Sequence, residues 1–227
     1  MPFKSPWSRW EKLMLRLRSI EEIIKPLGAK GKIEVNLLNN LIKEAFRPDP
    51  NDCEFQLEPI VIHKLKPIIE HCLKNPAAPM AEAGVFDGGV VGILSDNFLD
   101  STIYAYDTFE GLPEACWTKD EPHQAGQFKP THDVIKFLSN RKNVVVRKGL
   151  FPESIGEESN FWMVHLDLDF YLSTLNALKI LIPRMAKGGI IFLDDYEWHM
   201  CPGVKKATDE LGLHVKINPH WQGVLTF

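Results

Sequence analysis

The chain has 227 residues, of which 44% are hydrophobic and 25% charged, an ordinary composition for one large globular domain. This composition excludes intrinsically disordered and fibrous proteins. The formal net charge of -4 argues against a nucleic-acid partner, although residues 1–32 are basic and the rest of the chain is acidic.

The cysteines are few and widely spaced, and no two form a CxxC pair: Cys53, Cys72, Cys116 and Cys201. This spacing predicts neither a zinc site nor a disulfide framework, so free thiols in a reducing cytoplasm are expected. No apolar run is long enough for a transmembrane helix, and charged residues interrupt any signal-peptide core at the N-terminus. We therefore expect a cytoplasmic protein.

Residues 7–24 form the first predicted element, an amphipathic helix with a basic polar face. Such a helix packs on its own domain or on a partner subunit, or it lies on a membrane surface; packing is the commoner case. Further helices are predicted at 33–46 and from Glu58 to Leu73. We expect residues 1–57 to be a helical extension that contacts substrate or a second copy of the chain in a homodimer.

Short apolar runs alternate with helical stretches from residue 80 onward, which predicts an α/β domain over residues 58–227. The predicted strands are Met80–Val85, Ile103–Tyr106, Val144–Val146, Phe161–Leu168, Ile190–Leu193, His214–Ile217 and Gly223–Phe227. The predicted helices between them are 88–99, 131–140, 172–186 and 203–211. This order predicts a parallel sheet covered on both faces. Only Asn218–Gln222 separates the last two strands, so these should form an antiparallel hairpin.

A glycine-rich turn follows the first predicted strand, in the segment EAGVFDGG at 82–89. Its Gly84, Gly88 and Gly89 allow a tight strand-to-helix turn and close approach of a ligand. Asp107 ends the next strand, 23 residues after Gly84, where nucleotide-binding α/β folds place the acid that binds a ribose diol. A structural turn and a helix cap would explain the two features separately. Their place on consecutive strand tips favours a nucleoside ligand.

Two later strands end in pairs of acids, Asp167 with Asp169 and Asp194 with Asp195. If the strands are neighbours, the four carboxylates converge and raise one another's pKa values unless a cation balances them. Oxygen ligands alone select a hard ion, Mg²⁺ first and Mn²⁺ or Ca²⁺ as alternatives. In the other interpretation, Asp195 caps a helix and Asp167 contacts the cofactor.

Taken together, these motifs resemble the macrocin O-methyltransferase family over about residues 55–227. The matching segments are EAGVFDGG at 82–89, YDTFEGLP at 106–113, GLFPESI at 149–155, LDLDFYLSTLNAL at 166–178 and IPRMAKGGIIFLDDY at 182–196. The resemblance implies the Rossmann-like class I methyltransferase fold, an α/β domain whose seven-stranded, mostly parallel sheet has an antiparallel last strand. It also implies S-adenosylmethionine, Mg²⁺ and methylation of a hydroxyl, typically on the sugar of a natural product.

The resemblance also assigns residues by their position in the motifs. It places in the cofactor motifs Glu82, Gly84, Val85, Gly88, Gly89, Asp107, Thr108, Phe109, Phe151 and Asp167. It places Asp169, Asp194 and Asp195 on the metal positions. Leu168 is a departure, because the family usually has a glycine between these two acids.

Methylation of a hydroxyl requires a base that accepts its proton. Asp169 is one candidate and His123 is another, because His123 lies in a Pro- and Gly-containing segment, 114–130, that could fold over the site as a lid. His132 and His199 are further candidates. His165 lies within an apolar strand and is expected to be a core histidine.

Two other functions share part of this pattern. A nicotinamide-dependent oxidoreductase has the glycine turn and the ribose acid, but this chain lacks GxGxxG and hydride transfer does not need the paired acids. A non-catalytic binding protein with a methyltransferase fold is the second alternative, and the retained acids argue against it. The expected function is an O-methyltransferase that acts on a small hydroxylated acceptor such as a sugar or glycoside.

Overall fold

A computed structural model of the protein describes residues 58–130, 133–218 and 222–227, with side chains from Lys64 onward. The chain divides into two compact units, residues 1–63 and 64–227, so the division falls within the first described helix. The predicted helices at 7–24 and 33–46 lie outside the described residues, as does His132. No helix in the described ranges is long and apolar enough to cross a bilayer.

Seven strands form one sheet in the described part of the chain. They are β1 (Met80–Ala83), β2 (Ile103–Asp107), β3 (Val144–Lys148), β4 (Phe161–Leu166), β5 (Met185–Leu193), β6 (Lys216–Ile217) and β7 (Gly223–Thr226). The α-helices are α1 (Glu58–Cys72), α2 (Gly89–Asn97), α3 (Val134–Ser139), α4 (Tyr171–Leu181) and α5 (Pro202–Glu210). Short 3₁₀ turns occur at Glu114–Cys116 and Ile182–Arg184.

The spatial strand order is β3-β2-β1-β4-β5-β7-β6. Strands β1 to β5 are parallel, whereas β7 runs antiparallel to both β5 and β6. This arrangement confirms the predicted Rossmann-like α/β fold with its antiparallel end. The central strands β1 and β4 are almost wholly buried, as expected for parallel strands covered on both faces.

The main departures from the predicted elements have local causes. The helix expected over 172–186 ends at Leu181 because Pro183 lies in the following 3₁₀ turn, and β5 begins at once at Met185. Strand β5 is therefore longer than the predicted Ile190–Leu193, since Lys187 and two glycines obscure its first half in the sequence. Asp133 begins α3 by accepting a hydrogen bond from the Lys136 amide at 2.9 Å.

Candidate active site

The strand order reverses between β1 and β4, so the residues after these two strands meet at the carboxyl edge of the sheet. Such a reversal is where doubly wound sheets bind ligands. Gly84, which follows β1, has a φ of +89°, and a Cβ added to it would lie 1.7 Å from the carbonyl oxygen of Asp167. Only glycine fits this close approach of the two strand tips.

A cavity of about 510 Å³, open to solvent, lies at this edge. It is lined by Gly84, Phe86, Tyr106, Asp107, Thr108, Gly111, Leu112, Pro113, Phe128, Gly149, Leu150, Phe151, Leu168 and Ser173. Four of the predicted cofactor residues line the cavity: Gly84, Asp107, Thr108 and Phe151. Leu168, which stands where the family usually has a glycine, lines it as well.

Three backbone amides hold the carboxylate of Asp107. Its Oδ2 accepts hydrogen bonds from Val85 at 2.7 Å and Phe86 at 3.0 Å, and its Oδ1 accepts one from Phe109 at 2.6 Å. Phe86 and Phe109 have positive φ values of 48° and 54°, which turn their N–H groups toward the acid. The carboxylate thus fixes the loops after β1 and β2, and its remaining lone pairs are available to a ligand.

Three other predicted cofactor residues, Gly88, Gly89 and Thr108, lie where the chain turns after β1 and β2. Gly88 has a φ of +80° and precedes α2, which begins at Gly89. The Thr108 hydroxyl donates a hydrogen bond to the Gly111 carbonyl at 2.9 Å and so closes the turn after β2. Of the three, Thr108 lines the cavity and the two glycines do not.

Glu82 is buried, and both of its carboxylate oxygens contact other residues of the protein. Its Oε2 accepts a hydrogen bond from the Val91 amide at 3.1 Å, and its Oε1 lies 2.9 Å from Nδ1 of His165. Burial raises the pKa of Glu82 despite these bonds. Glu82 therefore ties α2 to β4, and it is not among the residues that line the cavity. Its role in cofactor binding stays a prediction.

The acids after β4 and β5 converge as predicted, but they form two groups. Oxygens of Asp167, Asp194 and Asp195 lie within 4.8 Å of one another. Asp169 belongs to a second group, in which it lies within the same distance of His123 and Cys201. The structure thus joins Asp167, rather than the predicted Asp169, to the other two metal candidates.

Asp169 lies in a largely buried setting. Its φ is +57°, and its Oδ1 accepts a hydrogen bond from the Cys201 thiol at 3.1 Å. Burial raises the pKa of Asp169, and the charge of Asp195 raises it further, whereas the thiol and His123 oppose the shift. Asp169 is therefore a stronger base than an ordinary surface carboxylate.

His123 is buried beside Asp169, and its own loop fixes its orientation. The Gln127 side-chain oxygen accepts a hydrogen bond from the Gln124 amide at 3.0 Å and lies 3.1 Å from Nδ1 of His123. Because this oxygen is an acceptor, Nδ1 is its donor, and the buried Nε2 has no partner in the described residues. His199 is exposed and belongs to neither group of side chains.

The predicted lid segment, 114–130, is held against the strand tips. The buried Glu121 accepts a hydrogen bond from the Tyr171 amide at the start of α4, at 2.7 Å. The Trp117 indole donates to the His123 carbonyl at 3.0 Å. Glu121 was not singled out by the sequence, because its partner lies 50 residues away.

Three polar side chains that the sequence did not assign to the site surround Asp194. Lys64 Nζ lies 2.8 Å from Asp194 Oδ2 and 2.6 Å from Asp195 Oδ1. The Gln222 amide donates to Asp194 Oδ1 at 3.2 Å, and Nε2 of His165 lies 3.8 Å from the same oxygen. His165 is buried, as a core histidine should be, yet it also bridges Glu82 and Asp194.

The pKa values show how these charges are balanced. Burial alone would raise the pKa of Asp194, but His165 and Lys64 outweigh it and hold the pKa below its usual range. Burial and the charge of Asp194 raise the pKa of Asp195, and burial together with Asp194 and Asp169 raises that of Asp167 well above its ordinary value. The group is short of positive charge, and its three carboxylates are the oxygen ligands that Mg²⁺ prefers, so the residues fit a divalent cation.

A comparison with known families gives this geometry a context. The profile of the family described as Macrocin-O-methyltransferase (TylF) matches residues 62–221, which is more than half of the chain. The chain belongs to this family. The resemblance carried by the sequence motifs is thereby confirmed, and the cavity and both groups of acids lie within the matched region.

Two curated relatives are similar at modest identity. The demethyldecarbamoylnovobiocin O-methyltransferase of Streptomyces niveus is 29% identical over 60% of this chain and 58% of the relative. The mycinamicin III 3''-O-methyltransferase of Micromonospora griseorubida is 24% identical over 63% of this chain and 65% of the relative. The chain thus spans less than two thirds of the length of these relatives.

Solved structures share the fold at low sequence identity. The calicheamicin methyltransferase CalS11 has a TM-score of 0.62 and 16% identity, with 87% of this chain and 94% of that chain covered. The O-methyltransferase NovP has a TM-score of 0.59 and 22% identity, over 74% and 79%. A Podospora anserina methyltransferase, PaMTH1, has a TM-score of 0.50 and 13% identity, over 99% and 95%.

Proposed function

We propose that this chain is an S-adenosylmethionine- and Mg²⁺-dependent O-methyltransferase that methylates a hydroxyl of a sugar or similar natural-product acceptor. Membership of the TylF family supports the reaction class. The names of two relatives specify O-methylation of novobiocin and mycinamicin precursors, which supports the acceptor class. The PaMTH1 structure contains S-adenosylhomocysteine, the product that remains after a methyl group leaves the donor.

One observation carries the proposal: the cavity with Asp107 adjoins the carboxylates of β4 and β5 at the β1–β4 reversal. Gly84 links the two, since it lines the cavity and packs on the carbonyl oxygen of Asp167. A donor bound beside Asp107 would therefore lie next to the group that is suited to a cation. Methyl transfer needs this adjacency, because donor and acceptor must be aligned before they react.

Each component has a distinct part in this reaction. S-adenosylmethionine, when bound, supplies a methyl group on a positively charged sulfur, and Asp107 has lone pairs for its ribose hydroxyls. Asp167, Asp194 and Asp195 would hold the divalent cation, which when bound supplies positive charge that lowers the pKa of the acceptor hydroxyl. The acceptor oxygen bonds to the methyl carbon as the carbon–sulfur bond breaks, and the hydroxyl proton passes to a base of the protein.

Asp169 is the base that we favour. It lies outside the group of Asp167, Asp194 and Asp195, so a cation held there leaves its oxygens free for a proton. Its raised pKa increases its affinity for that proton, and the Cys201 thiol fixes its orientation. His123, with its free Nε2 beside Asp169, is the second candidate.

The test is calorimetric titration of the protein with S-adenosylmethionine, with and without Mg²⁺. We expect a dissociation constant in the micromolar range for the unmodified chain and loss of binding in Asp107→Ala. The exposed Asp100→Ala is the matched control, and both variants are first compared by circular dichroism. Asp107 also accepts hydrogen bonds from three backbone amides. The circular dichroism spectra therefore show whether Asp107→Ala has unfolded or has only lost its contacts with the ligand.

Retained binding in Asp107→Ala would move the donor site away from this cavity. Absence of S-adenosylmethionine binding under every condition would refute the methyltransferase proposal. Titration with NADH in parallel tests the oxidoreductase alternative directly. Once donor binding is established, hydroxylated sugars and glycosides are the first acceptors to assay.

A further inference from the structure

Lys64 occupies an unusual place for a lysine on α1. Its side chain is only 18% exposed, and its ammonium lies 2.8 Å from Asp194 Oδ2 and 2.6 Å from Asp195 Oδ1. Lys66, two residues along the same helix, has a more exposed side chain and lies 3.7 Å from Glu70 within the helix. The contact of Lys64 is therefore specific to its position, and it spans 130 residues of sequence.

The carboxylates bound by Lys64 are two of the three that form the candidate cation group. Mg²⁺ binds carboxylate oxygens directly, at about 2.0–2.1 Å. An ammonium that donates hydrogen bonds to the same two side chains occupies one oxygen of each and already neutralises part of their charge. The ammonium and a divalent cation therefore compete for these carboxylates.

We propose that Lys64 is a tethered competitor of the divalent cation: its ammonium holds Asp194 and Asp195 together until the metal displaces it. The inference rests on the Mg²⁺ dependence in the proposed function. It goes beyond that function, because it assigns to this chain a residue that sets how tightly the metal binds. In the free protein, the Lys64 ammonium holds the two carboxylates in place without a metal. The same contact lowers the affinity of the site for the metal.

The contacts of Asp194 explain how it stays in position when a metal ion replaces the ammonium. Gln222 donates to Asp194 Oδ1, and His165 lies near the same oxygen, whereas Lys64 contacts Oδ2. Departure of the lysine therefore releases one side of Asp194 while the other side remains held. Asp195 loses its ammonium contact, so it gains most from a replacement cation.

The first experiment is titration with Mn²⁺, followed by the paramagnetic resonance of the free ion. The compared proteins are the unmodified chain, Lys64→Gln and the matched control Lys66→Gln. We expect Lys64→Gln to bind Mn²⁺ at least about tenfold more tightly, because the metal no longer competes with the ammonium for the site. Lys66→Gln should bind like the unmodified chain, and Asp194→Asn should lose the site.

Unchanged or weaker Mn²⁺ binding in Lys64→Gln would overturn the inference, as would absence of Mn²⁺ binding in both proteins. Stability gives a second readout in the same samples. In EDTA, Lys64→Gln should melt below the unmodified chain, and saturating Mn²⁺ should remove the difference.

A measurement on the unmodified chain does not depend on how the variant folds. Acylation of lysines, read by mass spectrometry, should modify Lys64 faster when Mg²⁺ is present and leave the rate at Lys66 unchanged. Equal rates at Lys64 with and without Mg²⁺ would contradict displacement. Binding of S-adenosylmethionine to the same preparations tests the methyltransferase proposal separately, so failure of one proposal is not mistaken for failure of the other.

Discussion

The close contact of Gly84 with the Asp167 carbonyl depends on a single residue type at position 84. A side chain at position 84 would meet a backbone carbonyl, which cannot move aside as a flexible side chain could. Position 84 also has a φ in the left-handed region, where other residues are strained. Both constraints act on the same residue, so substitution there should be costly.

We expect Gly84→Ala to lower the free energy of unfolding by about 2–6 kcal/mol, since left-handed strain and overpacking each cost about 1–3 kcal/mol. Gly126→Ala is the control, because Gly126 also has a positive φ but no atom within 4 Å of an added Cβ. It should cost only about 1 kcal/mol. Urea unfolding measures both, and equal losses would show that the contact with Asp167 is unimportant.

Asp169 permits a test in which the backbone is left undisturbed. Its φ of +57° is one that asparagine tolerates, so Asp169→Asn removes the basic carboxylate without adding backbone strain. We expect kcat to fall by about 100-fold or more, with little change in the affinity for S-adenosylmethionine. The exposed Asp100→Asn controls for a general effect of charge. Normal turnover in Asp169→Asn would leave His123 as the base, and His123→Ala should then show the loss.

At the scale of elements, helix α1 is fastened to β4 by a reciprocal pair of hydrogen bonds. Trp162 donates from its indole to the His71 carbonyl at 3.1 Å, and His71 Nε2 lies 3.0 Å from the Trp162 carbonyl. The two rings stack with centroids 4.6 Å apart. This clip anchors the C-terminal end of the helix that carries Lys64 to the amino end of β4.

The clip should make stability depend on pH. His71 Nε2 donates to the carbonyl, so the buried Nδ1, which has no partner in the described residues, would have to accept a proton on acidification. Burial lowers the pKa of His71, whereas in the unfolded chain it has a value of about 6.5. Below that value the unfolded state binds a proton that the folded state does not, so stability falls as the pH falls.

The measurement compares unfolding at several pH values from about 7.5 to 5.5, which bracket the unfolded histidine pKa. His71→Phe keeps an aromatic ring on Trp162 and should lose less stability than the unmodified chain as the pH falls, because it lacks the His71 contribution. The exposed His214→Gln should retain the slope of the unmodified chain. An identical slope in all three proteins would exclude His71 as its source.

The elements themselves were largely predictable, for a physical reason. Buried parallel strands such as β1 and β4 are mostly apolar, and such short apolar stretches are visible in the sequence. The start of β5 at Met185 was missed, because Lys187, Gly188 and Gly189 are poor strand formers that only their neighbours hold in the sheet.

The site was predictable where residues follow strand ends and unpredictable where distant segments meet. Asp107, Asp167, Asp194 and Asp195 all end strands, so their convergence follows from the topology. Lys64 approaches from a helix that lies 130 residues earlier than Asp194, and no spacing rule indicates such a contact. Asp169 instead groups with His123 and Cys201, and the sequence specifies neither this grouping nor its left-handed backbone.

For the whole molecule, donor binding should appear as added stability. A ligand that binds only the folded state at 100 times its dissociation constant adds about 2.7 kcal/mol. For a chain of this size the melting temperature should rise by about 5–10 °C with S-adenosylmethionine. NADH at the same concentration should give no shift, and Asp107→Ala should abolish the shift with S-adenosylmethionine. A shift with NADH alone would favour the oxidoreductase.

The contact of Gly84 with the Asp167 carbonyl also has a thermodynamic consequence. A change that donor binding imposed on the β1 tip would reach the backbone of a candidate metal ligand through this contact. Linkage then requires reciprocity: if S-adenosylmethionine alters the affinity for Mg²⁺ by some factor, Mg²⁺ alters the affinity for S-adenosylmethionine by the same factor. A single coupling free energy should therefore describe the binding of the two proposed ligands.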